Sequence, residues 1–348
     1  MKNRSSRSIK TSALVLAFAV GGAAVALAQA DDQESPAYGT TASPTFDAEA
    51  RAQLAPLAAA PITPFKSWKE QFQYATGGVA LRNRRGGGIG ISGVVLPVKD
   101  AYIYWAFIDN GAPTKPATLA ATKIRVQRLL PTPESAQMEL PGTLVDSGPQ
   151  PCWISGSTIY VYRAQLPVAL GVTNGSYQVT TLPFAGGDVN GGDPWVVRPR
   201  LPLWEGASIV VIGKGSNPVD LFDKGLAGKA VKPPFSYTLM LSGSTRSLPV
   251  LWDNIGADGQ LGTGRVATAS DSGETTTING LLVAGPGSTQ NLTGDWNGSS
   301  GFPLPQLWDD TGHQFTLYPT LTTTLSITFG PATGATDCLT GVANLVAY

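Results

Sequence analysis

The chain has 348 residues, of which 41 are Gly and 27 Pro, and only 14 % are charged. Gly and Pro disfavour helix interiors, so about a fifth of the chain in these two residues excludes a helical bundle. An apolar content of 42 % with eight Trp excludes a disordered chain. A globular protein rich in strands and turns remains.

Residues 1–30 have the pattern of an export signal. Lys2, Arg4, Arg7 and Lys10 form a basic start, Thr11 to Ala28 is uncharged and apolar, and Ala28-Gln29-Ala30 supplies a small-x-small cleavage site. No twin-arginine pair and no lipobox cysteine occurs, and no later stretch is long and apolar enough for a transmembrane helix, so the expectation is a soluble protein exported by the general secretory route. Residues 1–30 hold four basic and no acidic residues, so removing them leaves 20 basic against 24 acidic, a net charge of −4. A mildly acidic exported chain is a poor nucleic-acid binder, and the short cluster Arg82-Asn83-Arg84-Arg85 is expected as a solvated turn.

Residues 31–64, rich in Ala, Pro, Ser and Thr, are expected as a flexible segment. Ser67–Tyr74 has the spacing of a short helical turn. Beyond it, runs of β-branched and aromatic residues recur between Gly, Pro, Asn and Asp clusters. They are Ala101–Ile108, Lys123–Leu130, Thr158–Tyr162, Ser176–Leu182, Ser208–Ile212, Ser236–Leu241, Thr275–Val283, Thr322–Phe329 and Gly341–Tyr348. The runs fall into two sets of similar pattern. The fold expected is all-β, with two tandem antiparallel, jelly-roll-like β-sandwiches over 65–215 and 216–348.

Only two cysteines occur, Cys152 and Cys338, and in an oxidising compartment they are expected to form one disulfide.

AYIYWAF (101–107), EGASIVVIGK (205–214), QLWDDTG (306–312) and DCLTGVANLVAY (337–348) resemble an uncharacterised family of secreted modules found in bacterial and archaeal surface proteins. The chain departs from the family outline in a proline-rich insertion at 129–151 and a long loop at 251–265. The resemblance implies a β-sandwich at or beyond the cell surface and carries over no catalytic residues.

A single histidine, His313, cannot supply a zinc site by itself. It is also the lone imidazole base for a Ser or Cys hydrolase, and it is expected in a turn. Hard cations take oxygen ligands from acidic, amide-rich loops, so Asp253, Asn254, Asp258 and Gln260 form a candidate calcium site. Asp253, Asp258, Asp309, Asp310, Glu205 and Glu274 are the acids available for a carboxylate pair of the glycoside-hydrolase kind. Trp252, Trp296 and Trp308 each adjoin an Asp. Trp296, set among Gly, Asn and Ser, is expected to be exposed and, with Asp295, Asn297 and Asp309, to bind carbohydrate. Asn174, Asn291 and Asn297 lie in N-x-S/T sequons. The expected function is that of a secreted structural or adhesive protein without catalytic activity, able to self-associate through edge strands. The alternatives are calcium-assisted binding of surface polysaccharide and, more distantly, a glycan hydrolase using paired carboxylates.

Overall fold

The computed structural model describes residues 60–111, 119–150, 156–182, 201–227, 234–245, 249–257, 274–289, 295–296, 298, 308–317, 321–330 and 339–348. Among them the regular structure is all β apart from 3-10 turns at Leu119–Thr122 and Val168–Leu170. No helix among the described residues is long and apolar enough to cross a membrane.

The first nine strands are β1 (Lys66–Ala80), β2 (Gly86–Ile91), β3 (Asp100–Asp109), β4 (Lys123–Leu130), β5 (Met138–Pro141), β6 (Thr143–Gln150), β7 (Ser157–Gln165), β8 (Gly175–Thr181) and β9 (Leu203–Lys214). Eight follow: β10 (Asn217–Phe222), β11 (Phe235–Met240), β12 (Val250–Ala257), β13 (Thr276–Ile278), β14 (Leu281–Ala284), β15 (Trp308–Phe315), β16 (Thr324–Phe329) and β17 (Thr340–Ala347). They form one nine-stranded sheet, β15-β12-β17-β10-β1-β9-β3-β7-β6, and two four-stranded sheets, β2-β8-β4-β5 and β11-β16-β13-β14.

Three cores order these sheets into four layers. One core lies between β2-β8-β4-β5 and the β1-β9-β3-β7 wing of the large sheet, with Trp105, Phe107, Tyr160 and Trp204 at its centre. A second, around Trp252 and Phe329, lies between β11-β16-β13-β14 and the β12-β17-β15 wing. The third joins the two wings face to face, through Tyr104, Ile108, Val210, Ile255, Trp308 and Leu345. The wings are continuous through the antiparallel pairing of β1 with β10. Strands between two layers need apolar side chains on both faces, and every residue of β3 and β17 is buried. Outer β4 (KIRVQRLL) instead buries Ile124 and Val126 and turns its alternate residues outward.

Several sequence expectations are corrected. Ser67–Tyr74 is not helical but lies within β1. Trp68 and Phe72 have the four-residue spacing of a helix because the ladder to β10 shifts register between them, with Gln71 at φ 60°. The run Thr275–Val283 is two strands, since Asn279 (φ 49°) and Gly280 (φ 81°) make the left-handed turn that joins β13 to β14. The expected insertion at 129–151 contributes β5 and β6. The Arg82 cluster is a turn but not a solvated one, because Arg82 is 2 % exposed and paired with Glu205. The segment 31–64 is described only from residue 60, where Ile62 bridges Leu239 of β11 in parallel. The segment 1–30, expected as an export signal, and Cys152 and Cys338, expected to pair, lie outside the described residues.

Candidate functional site

Strands β12 and β15 pair antiparallel, with Asp253 opposite Gly312, Ile255 opposite Asp310 and Ala257 opposite Trp308. Side chains alternate along a strand, so this ladder presents two sets of polar groups to two different cores.

The outer face carries Trp252, Asn254, Asp309 and His313. His313 is not a turn residue: it lies in β15, stacks on Trp252 with ring centroids 5.7 Å apart, and donates through Nε2 to Oδ1 of fully buried Asp295. Asn344 of β17 gathers the neighbouring donors. Its Oδ1 accepts from Tyr237 Oη at 2.8 Å and from Trp252 Nε1 at 2.9 Å, and its Nδ2 donates to Asn254 Oδ1 at 3.2 Å. Asp309 Oδ1 accepts the backbone N–H of Gly298 at 2.7 Å. Trp252, Asn254, Asp309 and His313 thus each have at least one hydrogen-bond partner.

Trp296 is only 1 % exposed, with its ring edge-on to Phe329 and against Gly256. The polar residues beside it in sequence do not keep it at the surface. It fills a hole left by the missing side chain of Gly256, and a ring so enclosed offers no face to a sugar. Asp295 and Asp309 are likewise fully buried, and Asn297 lies outside the described residues. The proposed calcium loop is also corrected in its described part. Asp253 and Asn254 belong to a strand and point into different cores, while Asp258 and Gln260 lie outside the described residues. Among the described residues no three His, Cys, Asp or Glu side chains cluster as a metal site.

The inner face carries Asp253 and Asp310, diagonal neighbours on adjacent strands and within hydrogen-bond reach of each other. Thr76 of β1 donates to Asp253 Oδ2 at 2.7 Å, and Ser208 of β9 donates to Asp310 Oδ2 at 2.8 Å. Trp308 locks Ser208 in place, its Nε1 donating to the Ser208 hydroxyl at 3.0 Å, and its ring lies over Gly206 and Gly78. Asp253 is 5 % exposed and Asp310 is half-buried. Burial pushes Asp253 well above the usual carboxylate range, and the charge of Asp310 beside it adds to the rise. Burial also raises Asp310, to about 6, against the Thr76 and Ser208 hydroxyls and the Asp253 hydrogen bond, which favour its ionised form. Both carboxyls are thus held above the ordinary carboxylate range, and their contact favours a proton shared between them.

The sequence names both acids among many but offers no reason to join them, and it misses Thr76 and Ser208 altogether. The available signal is the repeated Leu-Trp-Asp of LWDN (251–254) and LWDD (307–310). Elsewhere between the wings Arg163 pairs with Asp223, which also accepts from Tyr104 Oη at 3.0 Å. Asn174 is fully engaged, accepting from Val94 N at 2.7 Å and donating to Val94 O at 2.8 Å.

No protein-family model matches the chain, and no curated protein matches it. Among solved structures it is similar to a crystal structure of peptide-N(4)-(N-acetyl-beta-D-glucosaminyl) asparagine amidase. That match has 12 % identity and a TM-score of 0.24 and covers 79 % of this chain and 96 % of the other. Similarity at this level carries no conclusion about chemistry.

Proposed function

We propose that the protein is an exported structural or adhesive module that associates by strand addition at the edges of its outer sheets. One observation carries this reading. The edge strand β11 takes an extended segment of chain on its open side, where Ile62 N donates to Thr238 O at 2.7 Å and Met240 N donates to Ile62 O at 2.8 Å. Ile62 also packs against the core beneath. An edge that binds a strand by main-chain hydrogen bonds and one apolar anchor has the chemistry of β-augmentation. The export signal expected at residues 1–30 and the surface-module resemblance are in keeping with this reading.

The test is light scattering and electron microscopy of the chain from residue 31 onward, over a wide concentration range. Assemblies larger than a monomer are expected. Ile62→Pro, which removes the N–H donated to Thr238 and reopens the β11 edge, should change their size or threshold. Strict monomer behaviour of both proteins at every concentration would overturn the reading.

A further inference from the structure

We infer that Asp253, Asp310, Thr76 and Ser208 form a binding site for a hard divalent cation, calcium or one like it, between the two wings of the large sheet. The four side chains come from four different strands and converge on one spot: two carboxyls on the inner face of the β12–β15 ladder and two hydroxyls from β1 and β9 opposite. All the oxygens are of the type that hard cations prefer. Among the described residues no Lys or Arg pairs with either carboxyl, whereas Glu205 and Asp223 are paired with Arg82 and Arg163.

A second observation is independent of the acidic pairing. Asp253 is 95 % buried, and its Oδ1 has no hydrogen-bond partner among the described residues. A buried carboxylate oxygen without a donor is costly, and a bound cation satisfies it directly. Two carboxyl groups in mutual contact likewise need either a proton or a cation between them. Access is available along β15, the edge strand of the large sheet, where Asp310 is half-buried and Gly312 exposed.

The site differs from the loop expected from sequence, sharing only Asp253 with it. Two carboxylates, two hydroxyls and water make a low-charge ligand set. That places its affinity with weak extracellular calcium modules, on the order of 10⁻⁴–10⁻³ M. The inference is independent of strand addition, because the site lies between the wings and not at the β11 edge.

Trp308 supplies the readout, since its indole touches the Ser208 hydroxyl. Terbium(III), a calcium surrogate, is titrated into the chain from residue 31 onward at pH 7.5, with excitation of tryptophan and detection of terbium emission. Saturable emission, displaced by millimolar calcium, is expected. Asp310→Asn and Asp253→Asn should weaken it at least tenfold, while Glu139→Gln, an exposed acid on the outer strand β5, should leave it unchanged. Circular dichroism checks that each variant is folded. Should neither Asp variant fold, Thr76→Val and Ser208→Ala carry the test and should shift the terbium midpoint several-fold upward. Absence of saturable emission in the parent would overturn the inference and leave a proton-sharing pair only. Emission that is the same in the parent and in every folded site variant would overturn it equally, by placing the ion elsewhere.

Discussion

Strands β12 and β15 contain nearly the same tetrapeptide, LWDN and LWDD, and use it in opposite ways. In β12 the Trp faces the outer core and the Asp faces the crevice between the wings. In β15 Trp308 faces the crevice, Asp309 the outer core and Asp310 the crevice again. The two motifs are out of phase by one residue, and with a side-chain period of two this reverses every face. The outer face thereby gains a base–acid pair, His313 with Asp295, while the inner face gains an acid–acid pair. Local sequence fixes which residues alternate, whereas the pairing register decides which core each set enters.

The sharpest contrast between the faces should come from removing one acid from each. Asp295→Ala leaves His313 buried without its partner, and a loss of about 3–5 kcal/mol in denaturant unfolding is expected. Asp310→Asn, measured in chelator at pH 7.5, removes the charge of one of the two carboxyls and keeps an acceptor for Ser208. Its stability should stay within about 1 kcal/mol of the parent or exceed it. Equal, large losses in both variants would erase the distinction.

Packing around the two tryptophans sets the next effect. A Cβ on Gly206 would overlap the Trp308 ring, and one on Gly256 would overlap Trp296. Each Gly→Ala change should cost about 1–3 kcal/mol in the same assay. Gly206→Ala alone should also weaken terbium emission, because it displaces the indole that holds Ser208. A smaller effect, on the order of 1 kcal/mol or less, is expected for Ile62→Pro, which loses one edge hydrogen bond.

Much of the architecture was legible in the sequence. Lys123–Leu130 coincides with β4, and Ala101–Ile108 falls within β3, because β-branched and aromatic residues there sit between clear turn signals. Strand β1 was hidden by its bulge, and β13–β14 by treating Asn279-Gly280 as strand interior. At the site, the acids were visible but their partners were not. Thr76 and Asp253 are 177 residues apart, and Ser208 and Asp310 are 102 apart. No spacing rule links positions brought together only when two wings of a sheet close on each other. Trp296 misled for a related reason: its polar neighbours suggest a loop at the surface, but Gly256, some forty residues earlier, provides the hole it fills.

The most direct measurement is the pH dependence of unfolding in the parent and in Asp310→Asn, both in chelator. Asp310 titrates near 6 in the folded chain and near the ordinary value of about 3.9 when unfolded. The folded state thus binds the proton first as pH falls, so this group adds stability on going from pH 7.5 towards 4 and withdraws it on going back. The parent should gain stability relative to Asp310→Asn between pH 7.5 and 5. Parallel pH profiles for the two proteins would contradict the account of two carboxyls sharing one proton between the wings.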